Sequence, residues 1–351
     1  MLAARRAIAS EQRLLYVASP GIRNYVEYGG LGILVFDLDH GYKFVKRIPT
    51  FPEMAGREPE PVKGIAASAR TGRLYVTTPT RLLCIDLVTE KPVWEKTIEG
   101  GCDRMSLSPD GKTLYVPSFE GPHWTVVNAL SGDVIARIET KSGAHNTIYG
   151  PSGGQVYMAG LKSPVLYVAD AAKHKIGSQV GPFSSVIRPF TINGSQTLCF
   201  ANVNDLLGFE VGDLKTGKMV QRVEVNGYVA GPTKRHGCPS HGIALTPDEK
   251  ELWLSDAHNS RLHIFEMRAM PPMQTATIAL RDQPGWITFS IDGRLVFPST
   301  GEIIDAKSRR ILGTLTDEQG RAVQSEKLLE IDFRDGRPVR AGNQFAVGAR
   351  K

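Results

Sequence analysis

A nine-residue stretch, SPDGKTLYV at positions 108–116, constrains this chain most, because degraded copies of it run along almost the whole length. The copies read SARTGRLYVT from Ser68, GPSGGQVYM from Gly150, TINGSQTLCF from Thr191, TPDEKELWL from Thr246, SIDGRLVF from Ser290 and FRDGRPV from Phe333. Each joins the end of one apolar strand to a second through a turn built from Asp, Asn or Gly, which is the signature of a β-hairpin. Counting seven residues back from the Asp110 position of each copy gives Lys63, Asp103, His145, Val186, His241, Gly285 and Leu328. The intervals are 40, 42, 41, 55, 44 and 43 residues. A period of that length with several short strands per unit predicts a propeller blade.

Within a unit the order is strand A, the turn, strand B, a loop, strand C, a second turn and strand D. Residues 105–108, 113–116, 125–128 and 134–138 are the clearest example. Strand C repeatedly ends in an apolar pair and an acid or amide, as in Phe36-Asp37, Ile85-Asp86, Val127-Asn128 and Ile304-Asp305. The last unit supplies strand A at 328–333 and little more that is clear, whereas residues 13–48 hold three strands without a first partner. The expectation is one all-β domain spanning residues 1–351, a seven-bladed β-propeller of four-stranded antiparallel blades. Residues 13–48 complete the last blade with 326–348, which closes the ring and protects its edges. The 55-residue interval marks an insertion around 228–239.

SPDGKTLYV, with YVTT at 75–78 and YVAS at 16–19, resembles the YVTN type of β-propeller repeat. The resemblance covers essentially the whole chain. It implies the propeller fold, and its relatives include lactonase-like enzymes, cytochrome d1-like propellers, cofactor-bearing dehydrogenase subunits and proteins with no known activity. The repeat is therefore specific for fold and weak for function. A His before Gly-Ile-Ala at the start of strand A is a common feature of such repeats, and His241-Gly242-Ile243-Ala244 resembles it.

In a propeller, strand A lines the central channel, and the D-to-A and B-to-C loops share one face. The seven reference residues then form a funnel ring in which His145 and His241 hold equivalent places. Five of the eight histidines fall on that face: His123, His145, His236, His241 and His258. Three readings stand for the pair His145 and His241. They are ligands of one divalent metal ion, acid–base groups without a metal, or structural histidines bonded to backbone carbonyls. Asp103 is the expected base or third ligand and Lys63 the expected anchor, with a plain Lys63–Asp103 ion pair as the alternative. Arg104 and Arg188 could hold a carboxylate or phosphate bidentately. Tyr25 and Tyr28, in the loop at 20–31, could wall a small-molecule pocket, and the Pro- and Glu-rich loop at 49–62 could act as a lid. His123, His236, His258 and Trp286 complete the candidate substrate contacts, although Trp286 also suits interblade core. His40, His174 and His263 read as structural.

Other classes find less support. A net charge of +6 is spread along the chain without a dense basic run, so no nucleic-acid partner is expected. No run of 18 apolar residues occurs, so no membrane span is expected. The opening MLAARRAIASEQRLLYV lacks the apolar core of a signal peptide, which reads as cytoplasmic, or as periplasmic or secreted had a leader been removed. Cys84 and Cys199 lie in apolar strands, while Cys102 and Cys238 lie in loop contexts that leave reactive, bridged or inert open. No HExxH or P-loop motif is present. The expected function is a small-molecule enzyme of hydrolase, lyase or isomerase chemistry with its site in the funnel. The rival is a non-catalytic propeller that binds a protein partner or ligand.

Overall fold

The repeated hairpin forms for local reasons. In the 108–116 copy, Ser108 Oγ accepts the backbone N–H groups of Lys112 and Thr113, at 3.1 and 2.9 Å, and Gly111 takes φ +75°, which its missing Cβ permits. Ser290 Oγ does the same for Leu295 N at 2.9 Å, and Thr246 Oγ1 for Glu251 N at 3.1 Å. The acid or amide at the end of strand C closes the second turn. Asp37, Asp86, Asn128 and Asp170 each accept the N–H groups two and three residues ahead.

A computed structural model describes residues 11–51 and 58–349. In it these hairpins assemble into seven antiparallel sheets. The first strands are Gly64–Ser68, Ser106–Leu107, Ala144–Tyr149, Ile187–Ile192, Ile243–Leu245, Ile287–Phe289 and Leu328–Arg334. They touch one another in succession, and the last touches the first, so they surround a central axis. The chain is an all-β, seven-bladed propeller; blades are numbered here from the one that begins at Gly64. Blade 7 joins the two chain ends. Glu11–Ser19 pairs with Leu328–Arg334 from Glu11 opposite Arg334 to Val17 opposite Leu328. The core lies between neighbouring sheets. Tyr16, Ile65, Val76 and Leu329 share one such layer, and Trp253 meets Phe289 edge-on at 5.8 Å in another. Among the described residues, the one helical segment is a 3-10 turn at Val26–Tyr28, and no helix is long and apolar enough to cross a membrane.

The C-terminal part departs from the expected blade. After Leu328–Arg334 the chain turns back as a fifth strand, Arg337–Ala341, on the inner edge of blade 7. Residues 342–349 then leave the blade and cross the channel. Gln344 Oε1 accepts Ile65 N at 3.2 Å, and Gln344 Nε2 donates to Met105 O at 3.0 Å. The indole of Trp286 donates to Gln344 O at 2.6 Å, and Leu245 N donates to Ala346 O at 3.0 Å. The tail thus ties blades 1, 2, 5 and 6 together and satisfies backbone groups that a bare channel would leave to water. A cavity of about 540 Å³ remains on the A–B turn side of this plug, and a smaller one lies on the opposite face.

Candidate functional site

The smaller cavity, about 180 Å³, opens on the face where the strand A entries gather. Three of the seven ring positions, Lys63, Asp103 and His145, form one connected unit. Asp103 is fixed by its backbone, with its N–H on Pro117 O at 2.8 Å and its carbonyl accepting Thr77 Oγ1 at 2.9 Å. Its side chain is 1% exposed. Asp103 Oδ2 accepts His145 Nδ1 at 2.5 Å, and Oδ1 lies 3.6 Å from Lys63 Nζ. His145 is the extra residue of a β-bulge: Ala144 and Asn146 oppose Gly160 and Ala159, with His145 left between them. The bulge turns its side chain out of the blade and into the funnel. Arg188 sits in a similar irregularity between Ile187 and Phe190. Burial pushes the Asp103 carboxyl up, but His145 and Lys63 outweigh that and hold it below the usual range.

The second unit centres on Glu326, two residues before the expected ring position Leu328. Glu326 Oε2 accepts Arg104 at 3.0 Å and Lys327 Nζ at 2.9 Å. Its Oε1 lies 3.1 Å from His236 Nδ1 and 3.9 Å from His241 Nδ1. The two imidazoles stack with centroids 4.8 Å apart. His241 Nδ1 donates to Gly285 O at 2.8 Å, which leaves Nε2 as the bare nitrogen. Gly285 is required by this packing: a Cβ there would come within 2.0 Å of His236 Cε1 and 2.4 Å of Glu326 Oε1. Arg104 lies flat on the Trp286 ring, 3.5 Å from its centroid. Burial raises the Glu326 carboxyl, yet Lys327, both histidines and Arg104 together bring it well below its ordinary value. Burial drives His241 well below, and His236 below, the usual imidazole range, so both are neutral at pH 7. Burial also lowers Lys327 to about 7.

The structure therefore brings His241 to His236 and Glu326, and His145 to Asp103, instead of pairing His145 with His241. Ligand-type atoms of His236, His241 and Glu326 all lie within 4.8 Å of one another, so this group could hold a metal ion. His145 is outside it. The insertion delivers His236. Arg235 anchors it through Gln324 at 3.0 Å, Asp282 at 2.6 Å and the Tyr28 hydroxyl at 2.8 Å, and Gln283 Oε1 accepts the N–H groups of Lys234 and Arg235.

Arg104, Arg188 and His236 line the cavity, with Arg188 braced by Asn204 and Gly237. Other candidates lie elsewhere. Tyr28 backs Arg235, and Tyr25 packs edge-on against Tyr28. His123 starts the strand His123–Asn128, buried beside Gly100, and does not line the cavity. His258 is exposed against Pro232 O. Trp286 supports Arg104 from beneath and donates to the tail. Of the 49–62 loop, residues 52–57 lie outside the described residues. Cys102 and Cys238 are buried free thiols, each pushed by burial to about 12, so neither is poised as a thiolate. Glu326 and Lys327 were missed because the ring count stopped at Leu328; the Glu-Lys dipeptide just before an apolar strand was the available signal.

No protein-family model matches the sequence, and a search of curated proteins gives no match. Among solved structures, Kuenenia stuttgartiensis hydrazine synthase aligns at a TM-score of 0.48 and 13% identity, over 74% of this chain and 98% of that one.

Proposed function

We propose that the funnel is the active site of an enzyme acting on a small organic anion, with Asp103 and His145 as its acid–base pair. The hydrogen bond from His145 Nδ1 to Asp103 Oδ2, 2.5 Å long, carries this reading. A buried carboxylate on Nδ1 fixes the tautomer, leaves Nε2 free to take a proton and stabilises the imidazolium that results. His145 lines the cavity, so a substrate there can reach that nitrogen. The charge of the lining supports an anionic substrate. Arg23, Lys63, Arg104, Arg188, Arg235 and Lys327 face Asp103, Glu120 and Glu326 around the space. A volume of about 180 Å³ suits a molecule of few atoms. Hydrolysis of a lactone-like ester, elimination and isomerisation all begin with such a base, and Lys63 is placed to anchor the substrate's charge.

The second group offers a metal reading, since His241 Nε2 is bare and Glu326 Oε1 faces both rings. Against it, Arg104 and Lys327 already neutralise Glu326, and a divalent ion would add charge beside them. The acid–base reading without a metal is therefore preferred. Metal analysis of protein purified without a His tag tests the choice: one ion per chain, lost in a His236→Ala/His241→Ala variant that still folds, would reverse it.

The base is tested by proton exchange. A panel of short α-hydroxy and α-oxo acids is incubated with the protein in D2O, and loss of the α C–H signal is followed by NMR. We expect enzyme-dependent exchange with at least one member, reduced about 10²–10⁴-fold in His145→Asn and Asp103→Asn. Exchange at the wild-type rate in both variants would remove the pair from the mechanism.

A further inference from the structure

Among the described residues, Lys327 is the one buried amine in the funnel that the acid–base pair leaves without a task. Its Nζ lies 2.9 Å from Gly21 O and 2.9 Å from Glu326 Oε2. Its side chain is 6% exposed, and the residue lines the cavity. On giving up its proton the Lys327 amine keeps two N–H bonds and one lone pair. Gly21 O and Glu326 take the two N–H bonds, so the lone pair occupies the one direction left. Glu326 and Gly21 hold that nitrogen in place, and Arg104, on the same carboxylate oxygen, sets a second positive charge beside it. Burial next to another cation is the setting in which a lysine acts as a nucleophile toward a carbonyl.

We propose that Lys327 is a catalytic nucleophile that forms an imine with the carbonyl of a small α-oxo acid bound in the funnel. The inference rests on the funnel being the active site of an enzyme for small organic anions, and it names the substrate class. The lone pair of Nζ attacks the carbonyl carbon; a C–N bond forms as the C=O π pair moves to oxygen. One N–H proton passes to that oxygen to give a carbinolamine. The second N–H proton leaves with the hydroxyl as water, and a C=N bond remains. The sum is amine plus ketone giving imine plus water, with no oxidant or reductant. Arg188 lies in the same lining to receive the carboxylate, held by Asn204 at 2.6 Å and Gly237 at 3.1 Å. An imine polarises the adjacent C–H bond, and His145 is the base on the same cavity that would take its proton.

Reductive trapping tests this. The full chain is incubated with pyruvate or α-oxoglutarate, treated with sodium cyanoborohydride, and analysed as intact protein and as peptides by mass spectrometry. The expected result is one adduct per chain, on Lys327, absent when the oxo acid or the reductant is omitted and absent in Lys327→Arg. No adduct on the wild-type protein with either acid, or adducts scattered over surface lysines with none on Lys327, would overturn the proposal. Peptide mapping of the wild-type protein decides the matter even should Lys327→Arg fail to fold. The two readings fail separately. C–H exchange lost in His145→Asn with no trapping at Lys327 would leave the acid–base site standing and remove the imine. Trapping at Lys327 with exchange unchanged in His145→Asn would do the reverse.

Discussion

Replacing Glu326 by Gln keeps the shape of the funnel's central group and removes its charge. In the native protein Arg104 and Lys327 meet on Oε2 at 3.0 and 2.9 Å, and the Arg104 and Glu326 side chains are only 3% and 7% exposed. Breaking a buried ion pair costs about 3–5 kcal/mol, because the remaining charge stays desolvated without its partner. The two cations respond differently. Lys327 can shed its proton, whereas the guanidinium cannot. The cost therefore falls on Arg104, which keeps its contact with the Trp286 ring. This favours the lower end, about 3 kcal/mol, or a fall in Tm of roughly 6 °C at about 2 °C per kcal/mol for a chain of this size. Differential scanning calorimetry and urea unfolding measure it. The deficit has a pH signature. Burial already lowers Lys327 to about 7, and Glu326 is the main influence raising it. Without Glu326 the folded-state pKa drops further, so the unfolded chain binds the extra proton over a window that now extends below pH 7, and stability there is lost as the pH is lowered. The deficit should be larger at pH 6 than at pH 9. Arg104→Met added to Glu326→Gln removes the stranded charge, so the double variant should be less destabilised than the sum of the singles by about 1–3 kcal/mol. A Tm within about 1 °C of wild type for Glu326→Gln, with additive effects in the double variant, would show that this network is not buried as described.

Gln344→Ala would leave Ile65 N and Met105 O inside the channel without their partner, at about 1–3 kcal/mol each, and should cost roughly 2–6 kcal/mol by urea unfolding; a value near zero would mean that the tail does not seat there. Gly285→Ala should displace His236 and loosen its contact with Glu326, seen as shifted imidazole resonances by NMR and a fall in Tm; native resonances would place His236 elsewhere. His236 and His241 are held below their ordinary pKa by burial, so their neutral forms contribute stability above about pH 6.5 that is lost as pH falls and the unfolded chain takes up protons first. Thermal melts should therefore decline steadily from pH 6.5 toward 5, and a His236→Gln/His241→Gln variant should show a flatter profile; equal slopes would contradict neutral buried histidines.

The scaffold was legible because it is local and repeated. Ser108, Gly111 and Asn128 act through partners a few residues away, and such patterns survive degradation from copy to copy. Counting back from the turn then reached Lys63, Asp103, His145 and His241 as cavity-lining residues, since each stands at or near the start of the first strand of its blade. What the count could not give was pairing. His145 and His241 hold equivalent positions, but a bulge turns the first toward blade 2, while the second bonds Gly285 O and stacks on a residue from the insertion. The role of Gly285 was invisible for the same reason, because an absent side chain signals nothing until the neighbour that fills its space is known. Residues 342–349 carried no repeat, turn or alternation, and their seat is built from backbone groups of distant blades.

That seat joins the scaffold to the chemistry. Gln344 O accepts the Trp286 indole, Phe345 packs against the same ring at 5.9 Å, and the upper side of the ring carries Arg104. Arg104 in turn holds Glu326, and Glu326 holds Lys327 and faces His236. A chain of contacts therefore runs from the 342–349 tail to the amine proposed as nucleophile. Because the tail crosses the channel, the funnel is blind, and a ligand must enter and leave by the face that the insertion and the 20–31 loop surround. The insertion is braced there by Arg235 against Tyr28, Asp282 and Gln324, which come from three separate loops. Loss of the tail would thus act first on Trp286 and Arg104, at the floor of the cavity, and only through them on Glu326. Asp103 and His145 depend instead on the blade 2 and blade 3 backbones. The two halves of the site are built on different supports, which is why a defect in one can be separated by experiment from a defect in the other.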